Sequence, residues 1–274
     1  MMNEPAASEG VAGMTDDIGS IDLNSDMGEG FGAYRMGPDA ELLELVTSAS
    51  IACGFHAGDP RIMDATVRRA AERGVAVGAH VSYPDLAGFG RRQLKVSADE
   101  LTTDTLYQIG ALDAFCRRHG TSVRYVKAHG ALYNDLADDE TLAAALAEAV
   151  LAYDPGLAVL VLAGSPAAGV IGGRGIRVAG EGFADRAYRP DGRLVSRREP
   201  GAVLTDQAEV ARRGAAIAAG QPITAIDGTE LVVRADSICV HGDTAGAVAL
   251  ATALRESLTE SGIHCRSFTR PAGL

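Results

Sequence analysis

The chain has 274 residues, a formal net charge of −11, 47% hydrophobic residues and no Trp. That length and apolar share suit one large α/β domain or two small ones with a core of Ala, Val and Leu, while the acidic balance argues against nucleic acid as a partner, since phosphate binding needs a basic face. The four cysteines show neither CxxC pairing nor the spacing of a disulfide scaffold, which points to reduced thiols in a cytoplasmic protein.

Residues 1–20 scatter Glu4, Glu9, Asp16 and Asp17 among Gly and Ala, without the basic and apolar regions of a signal peptide. They are expected to form a disordered tail. No apolar run approaches the roughly 20 residues that a membrane span needs. From Ile21 the chain alternates as a strand and breaks into the glycine-rich turn Met27-Gly28-Glu29-Gly30-Phe31-Gly32. Period two puts Asp22, Asn24 and Asp26 on one face, a poor wall for an apolar core and a good wall for a polar pocket. Glu29 projects from the turn.

Pro38 opens a helix with Leu42, Leu43, Leu45 and Val46 on one side. Ser48 to Ala52 leads into Cys53-Gly54-Phe55-His56-Ala57-Gly58-Asp59, and a helix from Pro60 to Arg73 stops at Gly74. Val75 to Val81 is an apolar strand closing on His80. A loop through Arg91 and Arg92 follows, then a helix to about Arg118 opened by the capping box Ser97 and Glu100. Val123 to Ala128 ends in Lys127-Ala128-His129-Gly130-Ala131-Leu132-Tyr133-Asn134, followed by an Ala-rich helix to Ala152. Leu157 to Leu162 reads as a buried parallel strand. Beyond a short helix and strand come Glu181, Asp185 and Arg186, an Arg-rich polar segment with a Pro190-Asp191-Gly192 turn, and a helix from Asp206 to Ala219. Ile223 to Val233 carries a two-residue hairpin signal at Asp227-Gly228. The strand Ser237 to Val240 ends in His241-Gly242-Asp243-Thr244, and a last helix runs to about Ser261.

About seven strand–helix units without a composition break predict parallel strands in an α/β fold. An open sheet gathers its site at one switch point, whereas polar clusters here follow nearly every strand, so an irregular (β/α) barrel over residues 21–270 is the expectation. Asp22, Asn24, Asp26, Glu29, His56, Asp59, His80, Lys127, His129, Glu181, Asp185, His241 and Asp243 are candidates for one shared site. Any single histidine among them reads equally well as a hydrogen-bonded core residue; four at equivalent positions weaken that reading. Such a set suits either a divalent metal held by two or three ligands, Asp26, His56 and His80 first, or metal-free acid–base chemistry. No HxH or HExxH spacing supports the metal. Lys127 at the end of an apolar strand suits an anion or a developing oxyanion. Arg91, Arg92 and the arm from Arg186 to Arg198 suit a carboxylate or phosphate, or simply solvent. Cys53 and Cys239 beside histidines read as small buried residues rather than nucleophiles.

Leu23-Asn24-Ser25-Asp26-Met27-Gly28-Glu29-Gly30-Phe31-Gly32, Cys53-Gly54-Phe55-His56-Ala57-Gly58-Asp59, Gly78-Ala79-His80, Pro84-Asp85-Leu86 with Gly88-Phe89-Gly90-Arg91-Arg92, His129-Gly130-Ala131-Leu132-Tyr133-Asn134, Phe183-Ala184-Asp185-Arg186 and His241-Gly242-Asp243-Thr244, in that order, resemble the signatures of the LamB/YcsF family, that of the 5-oxoprolinase A subunit. The resemblance implies a barrel like that of glycoside hydrolases and sugar deacetylases. It implies opening of 5-oxoproline (pyroglutamate) to glutamate, with ATP and Mg2+ as co-substrate and with the 5-oxoprolinase B and C subunits as partners. Under it, Asp26, His56, His80, His129 and His241 position and deprotonate water and Lys127 steadies the oxygen. Asn24, Glu29, Asp59, Arg91, Asn134, Glu181, Asp185, Arg186 and Asp243 are the expected substrate-binding set. A stand-alone metal-dependent amidohydrolase or deacetylase and a non-catalytic scaffold on the same barrel are the alternatives. Val81, Ala128 and Ala245 stand where the family's loops are expected to carry proline, so looser turns are expected there.

Overall fold

The computed structural model describes residues 19–242 and 246–269. The expected N-terminal tail and the candidate Asp243 therefore lie outside the described residues, apart from the last two positions of the tail. In chain order the elements are β1 (Ser20–Met27), α1 (Asp39–Leu42), β2 (Ser48–Ala52), α2 (Pro60–Glu72), β3 (Ala76–Val81), α3 (Ala98–Arg118), β4 (Val123–Ala128), α4 (Gly130–Asp138), α5 (Glu140–Tyr153) and β5 (Ala158–Leu162). There follow α6 (Pro166–Gly172), β6 (Arg177–Phe183), α7 (Gln207–Ala218), β7 (Pro222–Thr224), β8 (Glu230–Val232), β9 (Ser237–Cys239), α8 (Ala247–Glu260) and β10 (His264–Cys265).

Seven parallel strands, in the order β1-β2-β3-β4-β5-β6-β9, close into a barrel when β9 pairs with β1, and β10 adds to the outer edge of β1. The expected α/β barrel is the observed one. Closure follows from the register: Asp22 pairs with Ser237 on one side, and Asn24 pairs with Ser48 on the other. Helices pack outside, and side-chain caps begin α2 and α3, the second of them as the sequence leads one to expect. Asp59 accepts from the backbone of Arg61 and Ile62 at the start of α2, and the Ser97–Glu100 capping box starts α3.

The interior of the barrel is polar along β1 and plugged below. Tyr125 is fully buried and its hydroxyl meets Ser50 Oγ at 3.0 Å. Its ring occupies the space that a Cβ at Gly78 would take, so only glycine fits at that point of β3. Asp22, also buried, accepts hydroxyl hydrogen bonds from Thr47, Ser48 and Ser237. Burial nevertheless pushes its carboxyl up to about 6, against the pull of those hydroxyls. A folded-state value above the unfolded one means that this group's contribution to stability is fully present below about pH 4 and is lost as pH rises through about 6, by about 3 kcal/mol. Asp22→Asn is therefore expected to flatten the fall in denaturation midpoint between pH 4 and pH 7. Identical pH profiles for the two proteins would show that Asp22 does not titrate there.

Three expectations change. The helix expected to run on from Pro38 is a single turn, although Leu42, Leu43 and Val46 are buried as its apolar side predicts. The Asp227-Gly228 hairpin exists as β7 and β8, but residues 225–229 connect them rather than two residues, and the backbone N–H of Ala225 donates to Thr229 O. Val81 and Ala128 lie inside β3 and β4 and pair with each other, so strand pairing rather than proline fixes that rim; Ala245 lies outside the described residues.

Candidate active site

Every barrel strand points its C-terminal end at the same mouth, where a cavity of about 940 Å³ opens. Asp26, Glu29, His80, Lys127, His129 and His241 all line it. The convergence expected from sequence is real, and it resolves into three groups.

The first group is centred on Lys127, which β4 carries into the barrel interior with a side chain only 3% exposed. Its ammonium lies 2.7 Å from Glu181 Oε1, 2.8 Å from Asp26 Oδ1 and 3.2 Å from Asn24 Oδ1, with Cys239 Sγ at 3.4 Å. Asn24 in turn donates to Glu181 at 3.0 Å and to Ser237 at 2.8 Å. An ammonium has three N–H donors, and these neighbours take all three. Burial opposes the charge on Lys127, but the Asp26 and Glu181 carboxylates hold it well above the ordinary lysine value. Burial likewise opposes ionisation of Asp26, and His80 with Lys127 outweighs it, so its carboxyl stays well below the usual range. Lys127 is thus the counter-ion of a buried acidic cluster. The expected oxyanion role does not fit, because no donor is left over.

The second group brings Glu29, His56, His80 and His129 together from the ends of the first four strands. Glu29 Oε1 lies 3.2 Å from His56 Nε2, 3.3 Å from His129 Nδ1 and 3.9 Å from His80 Nε2. His129 Nδ1 is 3.0 Å from His80 Nε2, and the His56 and His129 rings stack at 3.8 Å. Burial, followed by the neighbouring imidazoles, pushes His56 and His129 well below the usual histidine value. The loop 82–92 closes this group from above. Gly90 has φ of +61°, and Phe89, at φ +54°, is the only non-glycine residue among those described with positive φ. That uncommon conformation aims the Phe89 carbonyl at His129 Nε2, 2.9 Å away. Asp85 anchors the loop by accepting from the Gly88 backbone and from Arg92.

The third group is a pair. Asp185 Oδ2 accepts from His241 Nδ1 at 2.8 Å, and the Phe183 ring stacks on the imidazole at 5.5 Å. Burial works against the Asp185 charge, and His241 with Arg186 overcomes it and holds the carboxyl below its usual range. With Nδ1 engaged, Nε2 is the ring nitrogen that remains on the cavity side.

The expected metal trio of Asp26, His56 and His80 is regrouped. The donor atoms of Glu29, His56, His80 and His129 lie within 4.8 Å of one another, whereas Asp26 falls with Cys239 and His241. Several expected substrate-binding residues serve instead as supports. Asn24, Glu181 and Asp185 are buried behind the lining and position Lys127 and His241. Asp59 caps α2 and also accepts from Gly32, tying down the turn after β1. Arg186 borders the cavity, but its guanidinium donates to the carbonyls of Val195 and Ala202 and braces the loop after β6. Arg91, stacked over Phe89 at 4.9 Å, and the exposed Asn134 do line the cavity. Cys53 and Cys239 are buried with their thiols pushed up, Cys53 by burial above all, as expected of small core residues. Sequence reasoning gave Phe89, Ser237 and Phe183 no role. A lone Phe between two glycines was the available sign for the first.

The LamB/YcsF family model matches residues 21–273. The chain is 57% identical over 251 residues to the 5-oxoprolinase A subunit of Mycobacterium avium (strain 104), covering 92% of this chain and 100% of that protein. It is 57% identical over 248 residues to the 5-oxoprolinase A subunit of Paracidovorax citrulli (strain AAC00-1), covering 90% and 99%. The crystal structure of the lactam utilization protein from Thermus thermophilus superposes with a TM-score of 0.86 at 45% identity, covering 91% of this chain and all of that one. With the family's motifs assembled at one barrel mouth and a family match running from the first strand past the last, the chain belongs to the LamB/YcsF family.

Proposed function

We propose that this chain opens the lactam of 5-oxoproline to L-glutamate as the A subunit of a 5-oxoprolinase, with ATP and Mg2+ as co-substrate of the complex and the B and C subunits as partners. The identity to proteins bearing that name, over nearly their whole length, supports the reading. It does not favour a stand-alone deacetylase. The observation that carries the chemistry is the Asp185–His241 pair, set at the cavity beside the buried Lys127–Asp26 ion pair.

A lactam is a stable amide. Transfer of the γ-phosphoryl group of ATP to its carbonyl oxygen releases ADP and leaves an activated carbon. Water adds there, the ring nitrogen takes a proton, and the C–N bond breaks to give γ-glutamyl phosphate. A second water displaces phosphate, yielding glutamate. In this scheme His241, held in one tautomer by Asp185, takes the proton of the attacking water at Nε2 and returns it to the ring nitrogen. Asp26, kept ionised by Lys127, orients the water. Arg91 at the rim pairs with the substrate carboxylate.

In the complex reconstituted with the B and C subunits, labelled 5-oxoproline and ATP are expected to give labelled glutamate, and His241→Ala is expected to lower kcat by about 10²-fold or more. Undiminished turnover by a folded His241→Ala protein would remove this histidine from the reaction. Glutamate release without ATP would favour the stand-alone amidohydrolase.

A further inference from the structure

We propose that Glu29, His56, His80 and His129 bind one divalent transition-metal ion of the zinc class. Two backbone carbonyls fix the tautomers of two of these rings. His80 Nδ1 is 3.2 Å from the backbone carbonyl of Lys127, and His129 Nε2 is 2.9 Å from that of Phe89. A carbonyl oxygen only accepts, so each of these nitrogens carries a proton. In neutral rings the opposite nitrogens, His80 Nε2 and His129 Nδ1, face each other with lone pairs across 3.0 Å, with a Glu29 carboxylate oxygen 3.3 Å from the second and an Asp26 carboxylate oxygen 3.3 Å from the first. Two lone pairs and two carboxylates facing one another in a nearly closed pocket repel, unless a cation, a proton or a metal ion, sits between them. The parallel stacking of His56 on His129, 6° from coplanar, suits neutral rings rather than two imidazolium ions.

The spacing suits such a cation. Four ligands about 2.0–2.2 Å from a tetrahedral ion stand about 3.3 Å from one another. Four of the six separations are 3.0, 3.2, 3.3 and 3.9 Å, and all six lie within 4.8 Å. Three imidazoles are borderline donors that select first-row transition ions over Mg2+ or Ca2+, and one carboxylate is an ordinary fourth ligand of zinc. The backbone carbonyls that fix His80 and His129 are the outer contacts that orient metal-bound histidines. No motif announces the set, because its four members come from four separate strand ends, and Glu29 replaces the Asp26 that the strand pattern suggested. The site stands on this geometry alone and does not depend on the lactam reading.

The test uses the full chain, stripped with a chelator and titrated with Co2+ and Zn2+. Wild type is expected to take up one ion per chain and to develop a visible Co2+ d–d band that Zn2+ abolishes. His129→Ala is expected to weaken binding by about 10²-fold or more, with His264→Ala, an exposed histidine remote in the chain, binding as wild type does. Should His129→Ala fail to fold by circular dichroism, Glu29→Gln, of nearly equal size, replaces it and is expected to weaken binding and shift the band. Absence of stoichiometric uptake by wild type would overturn the proposal and leave a shared proton between the rings. So would uptake that His129→Ala and Glu29→Gln leave unchanged. Measurement of glutamate release plays no part in these outcomes, so a failed metal site and a failed lactam reading are told apart.

Discussion

Lys127→Met is expected to abolish glutamate release and to cost about 3–5 kcal/mol of stability at neutral pH, the usual result of removing one partner from a buried ion pair. The size follows from the surroundings. Asp26 and Glu181 are held within 3 Å of one ammonium, and Glu181 is fully buried. Without the lysine two carboxylates face each other out of water, and the Asp26 carboxyl loses a neighbour that holds it ionised. Protonation relieves the repulsion, so the penalty is small at acid pH and grows as pH rises. Denaturant unfolding at pH 5 and pH 8 checks the sign: the variant should lie nearer wild type at pH 5. Lys127→Met combined with Glu181→Gln should recover part of the stability and none of the turnover. A single variant as stable as wild type at pH 8 would mean that the acidic cluster is not held by Lys127.

Gly90→Ala is expected to lower turnover by about 10²-fold while costing about 1–3 kcal/mol of stability. A Cβ there would come within 2.8 Å of both His129 Cδ2 and His56 Cβ and would collide with Ser82 Oγ, on a backbone already at positive φ. Either the loop lifts or the stacked imidazoles move apart. Gly74→Ala separates the two causes, since Gly74 shares the positive φ and has nothing within 4 Å of its added Cβ. That variant should lose stability alone. Equal turnover losses in both variants would trace the effect to backbone strain rather than to displaced histidines. Thermal unfolding, together with kcat and KM in the reconstituted complex, distinguishes them.

Much of this molecule is legible along the chain. The alternation of Asp22, Asn24 and Asp26 placed three polar side chains on one face of β1, and in the structure all three look into the barrel. Histidines at the ends of strands marked the mouth at which they meet. What could not be read was division of labour. Lys127 looked like an oxyanion donor until its three acceptors were in view. Asp59 and Arg186 looked like ligand-binding residues, yet one caps a helix and the other braces a loop. The expected metal trio meets the same limit: Asp26 Oδ2 is 3.3 Å from His80 Nε2, but its other oxygen belongs to Lys127.

The sequence by itself determined the strands, the face each side chain takes and the end of the barrel where chemistry gathers, because strand period and helix caps depend on neighbours a few residues apart. Only the tertiary structure decided which acids neutralise Lys127 and which backbone carbonyls meet His80 and His129. Those outcomes depend on contacts of about 3 Å between groups far apart in the chain, such as Lys127 and Asp26, 101 residues apart, and hydrogen bonds of that reach exist only once the barrel has closed.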